Sequence, residues 1–509
     1  MGEKKKCGTI KGIMIVTLIF LIVISIAIVT GVEIYQNRKK TIVWVIDEAT
    51  GITETTEESL NQLLADKGVG YKVAIRRENF LQDSQESPIV KIKEMKKKKQ
   101  QVDVLFIPVD VSEYSGHNLG LEMCKEELLY PMDTYLKSKE GKLLYQQFSA
   151  SCWKSASVNG KNYGMPTETA LVYGVRWHVN KQLMKKYHLK REDFQNKEIW
   201  ELENILDKVY KEKENSVEDF SSFSINDADI LANLPFEQVT DYIGVDQRGK
   251  NTTAWNMFDN PYVMKYLKTL HKYAEKGYIN RKQELYELSE NNFFMYQTNS
   301  LIDNEADEQI ISVFGASKQT EVDMHVASIP CYKNYYTYNS SNVQQGIASW
   351  SKNKEVALKF LNTLATDKDV QMLLNYGKEG KDYKIKKGKV TDMQGNLLVS
   401  NSFSQFLSGD CQCTMYKEKL RDNSYIKGVL KGEVLESPIN GFSFDDSMCK
   451  NELIKLQKIY EDAKQKYFYI FEDDFEQKIA ELNQELQENG LEHVLKEISH
   501  QIKKYKNDL

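Results

Sequence analysis

Only 27 glycines and 8 prolines interrupt the 509 residues, too few for a collagenous or low-complexity chain. Strong charge of one sign is missing as well. The 68 basic and 73 acidic side chains leave a formal net charge of -5, without the basic excess that nucleic-acid binding normally shows. Cysteine is sparse: Cys7, Cys124, Cys152, Cys331, Cys411, Cys413 and Cys449. A chain this long needs no disulfide framework, Cys411 and Cys413 are too closely spaced for an ordinary bridge, and no second Cys/His pair completes a zinc pattern. The thiols are therefore expected to be free.

The chemistry of a catalyst is equally absent. The seven histidines include no pair at i, i+4, and no Gly-x-Ser-x-Gly elbow is present, which removes the metalloprotease helix and the hydrolase nucleophile turn. Gly244-Val-Asp-Gln-Arg-Gly-Lys250 has phosphate-loop spacing, but Asn251 replaces the Ser/Thr that would hold Mg²⁺, so it reads as a polar turn. Carboxylates are too numerous for composition to single out a glycosidase pair or to discard one. The expectation is no catalytic residue, no metal, no cofactor and no enzyme.

What is present begins with Ile13 to Val32, a run of 20 residues without a charge. At 1.5 Å rise it is long enough to cross about 30 Å of hydrocarbon. Lys4, Lys5, Lys6 and Lys11 precede it and favour a cytoplasmic N-terminus. Ser25-Ile-Ala27 and Val29-Thr-Gly31 are only passable cleavage sites, so an uncleaved signal anchor is expected, with a cleaved signal as its rival. Residues 1–12 are then a basic cytoplasmic head, 13–32 a single-pass membrane segment and 33–40 a short linker, with the bulk of the chain extracytoplasmic.

From Thr41 onward the pattern is α/β. Thr41 to Ile46, Tyr71 to Ile75 and Val102 to Ile107 read as strands, with helices over Thr53 to Lys67 and Pro88 to Gln100 between them. That alternation implies parallel pairing through right-handed crossovers, with ligands beyond the carboxyl ends of the strands. Glu198 to Glu212, Pro261 to Lys276, Lys354 to Thr366 and Lys368 to Tyr376 read as helices. Val326 to Pro330 reads as a strand returning to the first lobe. Beyond Asp445 the stripes Leu453/Leu456/Ile459/Tyr460 and Phe475/Ile479/Leu482/Leu486, then a last helix after Gly490, describe an appended helical module. The run Lys96 to Lys99 reads as a solvated helix face.

Four phrases in order resemble the family 1 extracellular solute-binding proteins. They are Tyr163-Gly-Met-Pro-Thr167 with Tyr173-Gly-Val-Arg-Trp-His-Val-Asn-Lys181, then Ser351-Lys-Asn-Lys-Glu-Val-Ala-Leu-Lys-Phe-Leu361, then Leu374-Asn-Tyr-Gly-Lys-Glu-Gly-Lys-Asp-Tyr383, and Gly441-Phe-Ser-Phe-Asp445 before the C-terminal helices. The last is similar to the closing module of a lipoprotein-type subgroup in Gram-positive bacteria, although no lipid-accepting cysteine follows the apolar run here. The resemblance implies a two-lobed periplasmic-binding-protein-like (type II) fold with a hinge. Lobe 1 is expected over 41–163 and about 325–385, lobe 2 over 164–324 and about 386–444, and the helical module over 445–509. It also implies a monomeric receptor that hands a carbohydrate, or second a peptide, to the transmembrane permease subunits of an ABC importer. A membrane-anchored sensor and a structural surface protein with a degenerate cleft are the competing readings.

Sugars are held by aromatic faces, with carboxylates and amides on their hydroxyls. Trp153, Tyr173, Trp177 and Trp350 lie near expected cleft loops or crossovers, and Asp47, Asp110 and Glu168 follow strand ends or the crossover loop. These seven are the candidate ligand-binding residues, with simple packing as the competing role of each. Trp44 and Trp200 sit in apolar patterns and read as core. The stretch Tyr332 to Tyr338 is either a second aromatic platform or a tyrosine-rich surface loop. An uncleaved anchor predicts that the protein purified from membranes keeps its N-terminal mass and resists alkaline extraction; a shortened, wash-released chain would be the cleaved form.

Overall fold

β-Branched and aromatic residues in Thr41 to Ile46 build the first strand, and its side chains are buried on both faces, as expected for a parallel strand covered by helices on each side. The computed structural model describes residues 40–80, 87–107, 118–148, 150–158, 160–166, 172–213, 220–225, 231–249, 251–280, 292–301, 309–312, 323–337, 345–386, 389–396, 398, 407, 434–465 and 471–507. The apolar segment 13–32, Asp110 and Glu168 lie outside them. Among the described residues no helix is long and apolar enough to cross a membrane.

In chain order the first lobe contributes β1 (Lys40–Asp47), α1 (Glu54–Asp66), β2 (Tyr71–Glu78), α2 (Pro88–Lys97), β3 (Val104–Phe106), α3 (Leu119–Lys125), α4 (Ala150–Ser155) and β4 (Gly164–Met165). The second lobe follows with β5 (Val172–Asn180), α5 (Glu203–Lys211), β6 (Ser221–Ser224), β7 (Phe236–Thr240), β8 (Ile243–Asp246), β9 (Ala254–Asn256), α6 (Pro261–Glu275), β10 (Phe293–Leu301), β11 (Gln309–Ser312), β12 (Asp323–Pro330) and β13 (Tyr335–Thr337). The chain then returns to lobe 1 with β14 (Gln345–Ile347), α7 (Lys354–Thr366) and α8 (Lys368–Tyr376). It ends with β15 (Val434–Leu435), α9 (Lys450–Gln465), α10 (Phe475–Glu488) and α11 (Leu491–Asn507).

The lobe 1 sheet runs β2-β1-β3-β14-β4, with β1 parallel to β2 and β3, and β14 antiparallel to β3 and β4. Trp44, fully buried, packs edge-on against Phe360 of α7 and donates its indole N–H to Gln345 Oε1 at 2.8 Å. One side chain thereby joins β1, β14 and the covering helix. Buried Asp103 accepts from Val43 N and Gln101 Nε2, both at 2.8 Å, and from Ser351 Oγ and Asn353 Nδ2 at the start of α7. The Ser-x-Asn opening of that helix thus fastens it to the sheet. Thr53 caps α1 and Asp367 caps α8, each satisfying amide donors left free in a first helical turn.

The lobe 2 sheet runs β11-β12-β5-β10-β6, and β13 pairs with β5 on one side and β15 on the other. A separate antiparallel sheet β9-β8-β7 carries the C-terminal helices. Leu453, Leu456, Leu482, Leu486, Val494 and Ile498 share a core with Tyr242, Ile243 and Val245, so the module packs on lobe 2. The turn after β8 joins two antiparallel strands, not a strand to a helix, which disposes of the phosphate-loop pattern. Lys98 pairs with Glu94 on the exposed face of α2. Among the described residues Cys124, Cys152, Cys331 and Cys449 form no disulfide.

Three boundaries differ from expectation. Val326 to Pro330 pairs with β5 in the register Val326↔Asn180 to Pro330↔Arg176, and Ile329 sits in the lobe 2 core. The return to lobe 1 therefore falls between Thr337 and Gln345, not at 325. Gly164–Met165 belongs to the lobe 1 sheet, which moves the first crossing to between Pro166 and Val172. Residues after 385 do not pass directly to lobe 2: Tyr383 and Val390 pack with Met372 and Tyr376 of α8, and Leu407 lies in the lobe 1 core. A third crossing therefore joins Leu407 to Val434.

His178 on β5 is buried, stacks on Tyr296 at 5.0 Å, and leaves both ring nitrogens without a hydrogen-bond partner. Burial, with Arg176 adding to it, lowers its pKa from 6.5 to about 3. The unfolded chain therefore binds a proton between these values that the folded chain refuses. Its contribution to stability is complete above pH 6.5 and falls as the pH drops, by up to about 1.4 kcal/mol per unit. His178→Phe should flatten that acid limb in denaturant unfolding measured as a function of pH; an unchanged limb would assign it to other groups.

Candidate ligand-binding cleft

Strands β1, β2 and β3 all point their carboxyl ends toward one edge of lobe 1, and β5 enters lobe 2 from that side. The space between these edges, beside the crossings, is where a ligand of an open parallel sheet lies. In lobe 2 the matching edge is marked by Pro330 at the end of β12, opposite Arg176, and by Tyr336 of β13, opposite Tyr173.

Four of the seven candidate residues take structural roles instead. Asp47 is 1% exposed, and its carboxylate accepts from Ala49 N at 2.6 Å and Phe80 N at 2.7 Å, so it ties two loops at the strand end. Trp153 is in the lobe 1 core, stacked on Tyr145 at 5.6 Å, with its N–H on Tyr145 O. Trp177 is fully buried in the lobe 2 core against Phe223 and donates to Lys197 O. Trp350 donates to Gln100 O, upstream of β3, and so lies at the edge of the sheet opposite the cleft. A strand alternates its faces, and a tryptophan on the inward face is consumed by packing. Tyr173 is placed by its backbone at the crossing, paired with Leu301 and Tyr336. Asp110 and Glu168 are outside the described residues.

The structure brings together a different set. Arg248, in the turn after β8, lays its guanidinium 3.8 Å from the ring centre of Tyr262, on the first turn of α6. It is held there by Asp246, with Nε to Oδ1 at 3.0 Å and Nη2 to Oδ2 at 2.8 Å. Tyr262 donates its hydroxyl proton to Glu198 Oε2 at 2.7 Å, and the hydroxyl lies 3.0 Å from that of Tyr332, two residues beyond β12. Trp200 meets Tyr262 edge-on at 5.4 Å and carries Lys265 Nζ 3.9 Å above its ring. Burial raises the Glu198 pKa against the opposing pull of Tyr262 and Arg248, and burial raises that of Tyr262 strongly.

Asn260 explains the placement of Tyr262: as N-cap of α6 it accepts from Tyr262 N at 2.9 Å, with Pro261 at the first helical position. Arg248 is placed by its ion pair, and Tyr332 by the bond from Cys331 N to Val175 O at 2.9 Å. The cluster offers flat aromatic surface, an acceptor carboxylate, phenol hydroxyls and fixed cations, with the Arg248 and Asp246 side chains 29% and 30% exposed. Such a surface binds a polyhydroxylated ring through stacking and hydrogen bonds. Among the described residues no group of acidic, histidine and cysteine side chains is arranged to hold a metal ion.

Known structures match this fold across nearly their whole length. The N-glycan transport solute-binding protein NgtS of Streptococcus pneumoniae superposes with a TM-score of 0.66, at 22% identity over 92% of this chain and 99% of that one. The chain has the two-lobed α/β fold of the solute-binding proteins. FusA of Streptococcus pneumoniae, an ABC-transporter substrate-binding protein solved with kestose, matches at a TM-score of 0.53 and 13% identity, over 93% of this chain and 100% of that one. A protein of Streptococcus pneumoniae serotype 4 named carbohydrate ABC transporter substrate-binding protein is 27% identical over 335 residues, 63% of this chain. That match spans 64% of the relative's length. Residues 438–507 match the family described as Domain of unknown function (DUF3502).

The tryptophans distinguish packing from ligand contact in stability measurements. Trp177→Ala and Trp153→Ala should each cost about 3–5 kcal/mol of unfolding free energy, as large-to-small core changes do. Arg248→Ala, at the edge, should stay within about 1 kcal/mol. Denaturant midpoints at constant m-value test the contrast, and a small loss at Trp177 would move that residue out of the core.

Proposed function

We propose that this chain is the extracytoplasmic receptor of an ABC importer, binding a mono- or oligosaccharide between its lobes for delivery to a transmembrane permease. The observation that carries the proposal is the cluster of Arg248, Tyr262, Glu198, Tyr332 and Trp200 at the crossing end of lobe 2. Aromatic rings beside an acceptor carboxylate suit sugar C–H faces and hydroxyls together. The name of the pneumococcal relative and the kestose complex of FusA support a carbohydrate. The protein works by holding its ligand, not by turning it over, as a monomer of the type II hinge-closing class. The segment 13–32 anchors it in the cell membrane with lobes 1 and 2 outside. Ligand drives closure only to the extent that it favours the closed form.

The test is thermal unfolding of the protein against mono- and oligosaccharides, including mannose-containing and fructose-containing ones, with short peptides as the contrast class. A ligand at about 100 times its Kd adds about 2.7 kcal/mol, a melting shift of a few degrees. Arg248→Ala should weaken that ligand tenfold or more by titration calorimetry while the unliganded melting point holds. Peptide-only stabilisation, or sugar turnover, would overturn the carbohydrate-receptor reading, and full affinity in Arg248→Ala would remove the cluster from the ligand wall.

A further inference from the structure

The C-terminal module is built into lobe 2. Its helices share apolar cores with the small sheet and with lobe 2 through Phe475 and Ile479, and Asn483 bonds Asn256 and Asp259 at 2.7 Å each. Its leading segment behaves differently. Immediately after β15, Glu436 pairs with Lys154, and Asn440 Nδ2 donates to Ser151 Oγ at 3.0 Å and Ser151 O at 3.3 Å. Farther on, Asp445 pairs with Lys125, which also donates to Ser447 Oγ at 2.8 Å. Lys125, Ser151 and Lys154 all belong to α3 and α4 of lobe 1.

The same segment is locked from behind by α11. Tyr505 donates to Asn440 O at 2.7 Å, and Gln501 exchanges two bonds with the Asp445 backbone at 2.8 and 2.7 Å. Gly441 (φ +83°) is wedged at the junction: a Cβ there would lie 2.5 Å from Tyr505 Oη and 2.7 Å from Lys154 O. The attachment to lobe 2 is thus apolar and extensive, whereas the attachment to lobe 1 runs through two exposed ion pairs and the hydrogen bonds of the Asn440 side chain to Ser151. Exposed ion pairs add little to stability, so this second attachment is the one that rotation of the lobes can break.

We propose that Glu436 to Asp445 is a releasable clasp by which the module, fixed to lobe 2, holds lobe 1 at the interlobe angle of this structure. It gives the module a role in setting the open-to-closed balance, separate from any contact with ligand. The proposal rests on the two-lobed fold and not on the identity of the ligand.

Its test is the interlobe distance in the full chain in detergent, without ligand. Spin labels on non-natural side chains replacing exposed Lys72 of β2 and Lys211 of α5 report it by pulsed electron resonance. Lys125→Ala/Lys154→Ala should shift or broaden the distance distribution with little change in melting point. Gly441→Ala should do the same by forcing the segment off α4, and the double variant stands if Gly441→Ala does not fold. Distributions superimposable on the parent's in the folded double variant would overturn the clasp. So would a lowered melting point with the distances unchanged, which is the signature of a merely structural contact.

Discussion

Strand β5 is the constraint on which the rest depends. It enters from lobe 1, hydrogen-bonds to β10 along one edge, and along the other to β12 and then β13. These neighbours satisfy its backbone groups where it is buried, and an unpaired buried amide or carbonyl would cost about 1–3 kcal/mol. Its alternation then divides labour between faces: Val175, Trp177 and Val179 build the lobe 2 core, whereas Arg176, His178 and Asn180 point the other way. Arg176 is satisfied by Ser328 on the neighbouring strand. Because β12 and β13 must follow this strand, Tyr332 and Tyr336 are delivered to the crossing end, where Tyr332 meets the Arg248–Tyr262 pair.

Three crossings between the lobes restrict their relative motion more than two would. The first two flank β5 and β13, and the third returns the chain from Leu407 to β15 beside β13. The chain continues from that third crossing straight into the segment that touches α3 and α4. Hinge closure is an equilibrium between two packings, so weak polar contacts at its margin tilt the balance although they add little to global stability.

The periodic signals were legible. The β-branched run of β1 and the capped helices α1, α6 and α8 stand close to where propensity and capping chemistry put them, and the stripes ending in Ile498 pack as an appended module. Lobe membership was not legible for Val326 to Pro330, because a short apolar strand looks the same whichever sheet receives it. The candidate site fared worst. Trp153, Trp177 and Trp350 lie near expected cleft loops, yet each spends its N–H on a backbone carbonyl. Trp200, read as core, does pack half-buried against the lobe 2 core, but it also carries Lys265 over its ring. Of the signals in the chain, the tyrosine-rich stretch beginning at Tyr332 came nearest to the cluster found.

Composition and periodicity alone determined that the chain is a globular α/β protein with a helical C-terminus, because these depend on spacings of two to four residues. Which residues form the cleft was decided only by tertiary structure. Glu198, Arg248, Tyr262 and Tyr332 lie far apart in the chain and meet because the small sheet, the capped helix α6 and strand β12 converge at one edge. No local pattern encodes that meeting; it is set by the packing of three separate elements around one buried strand.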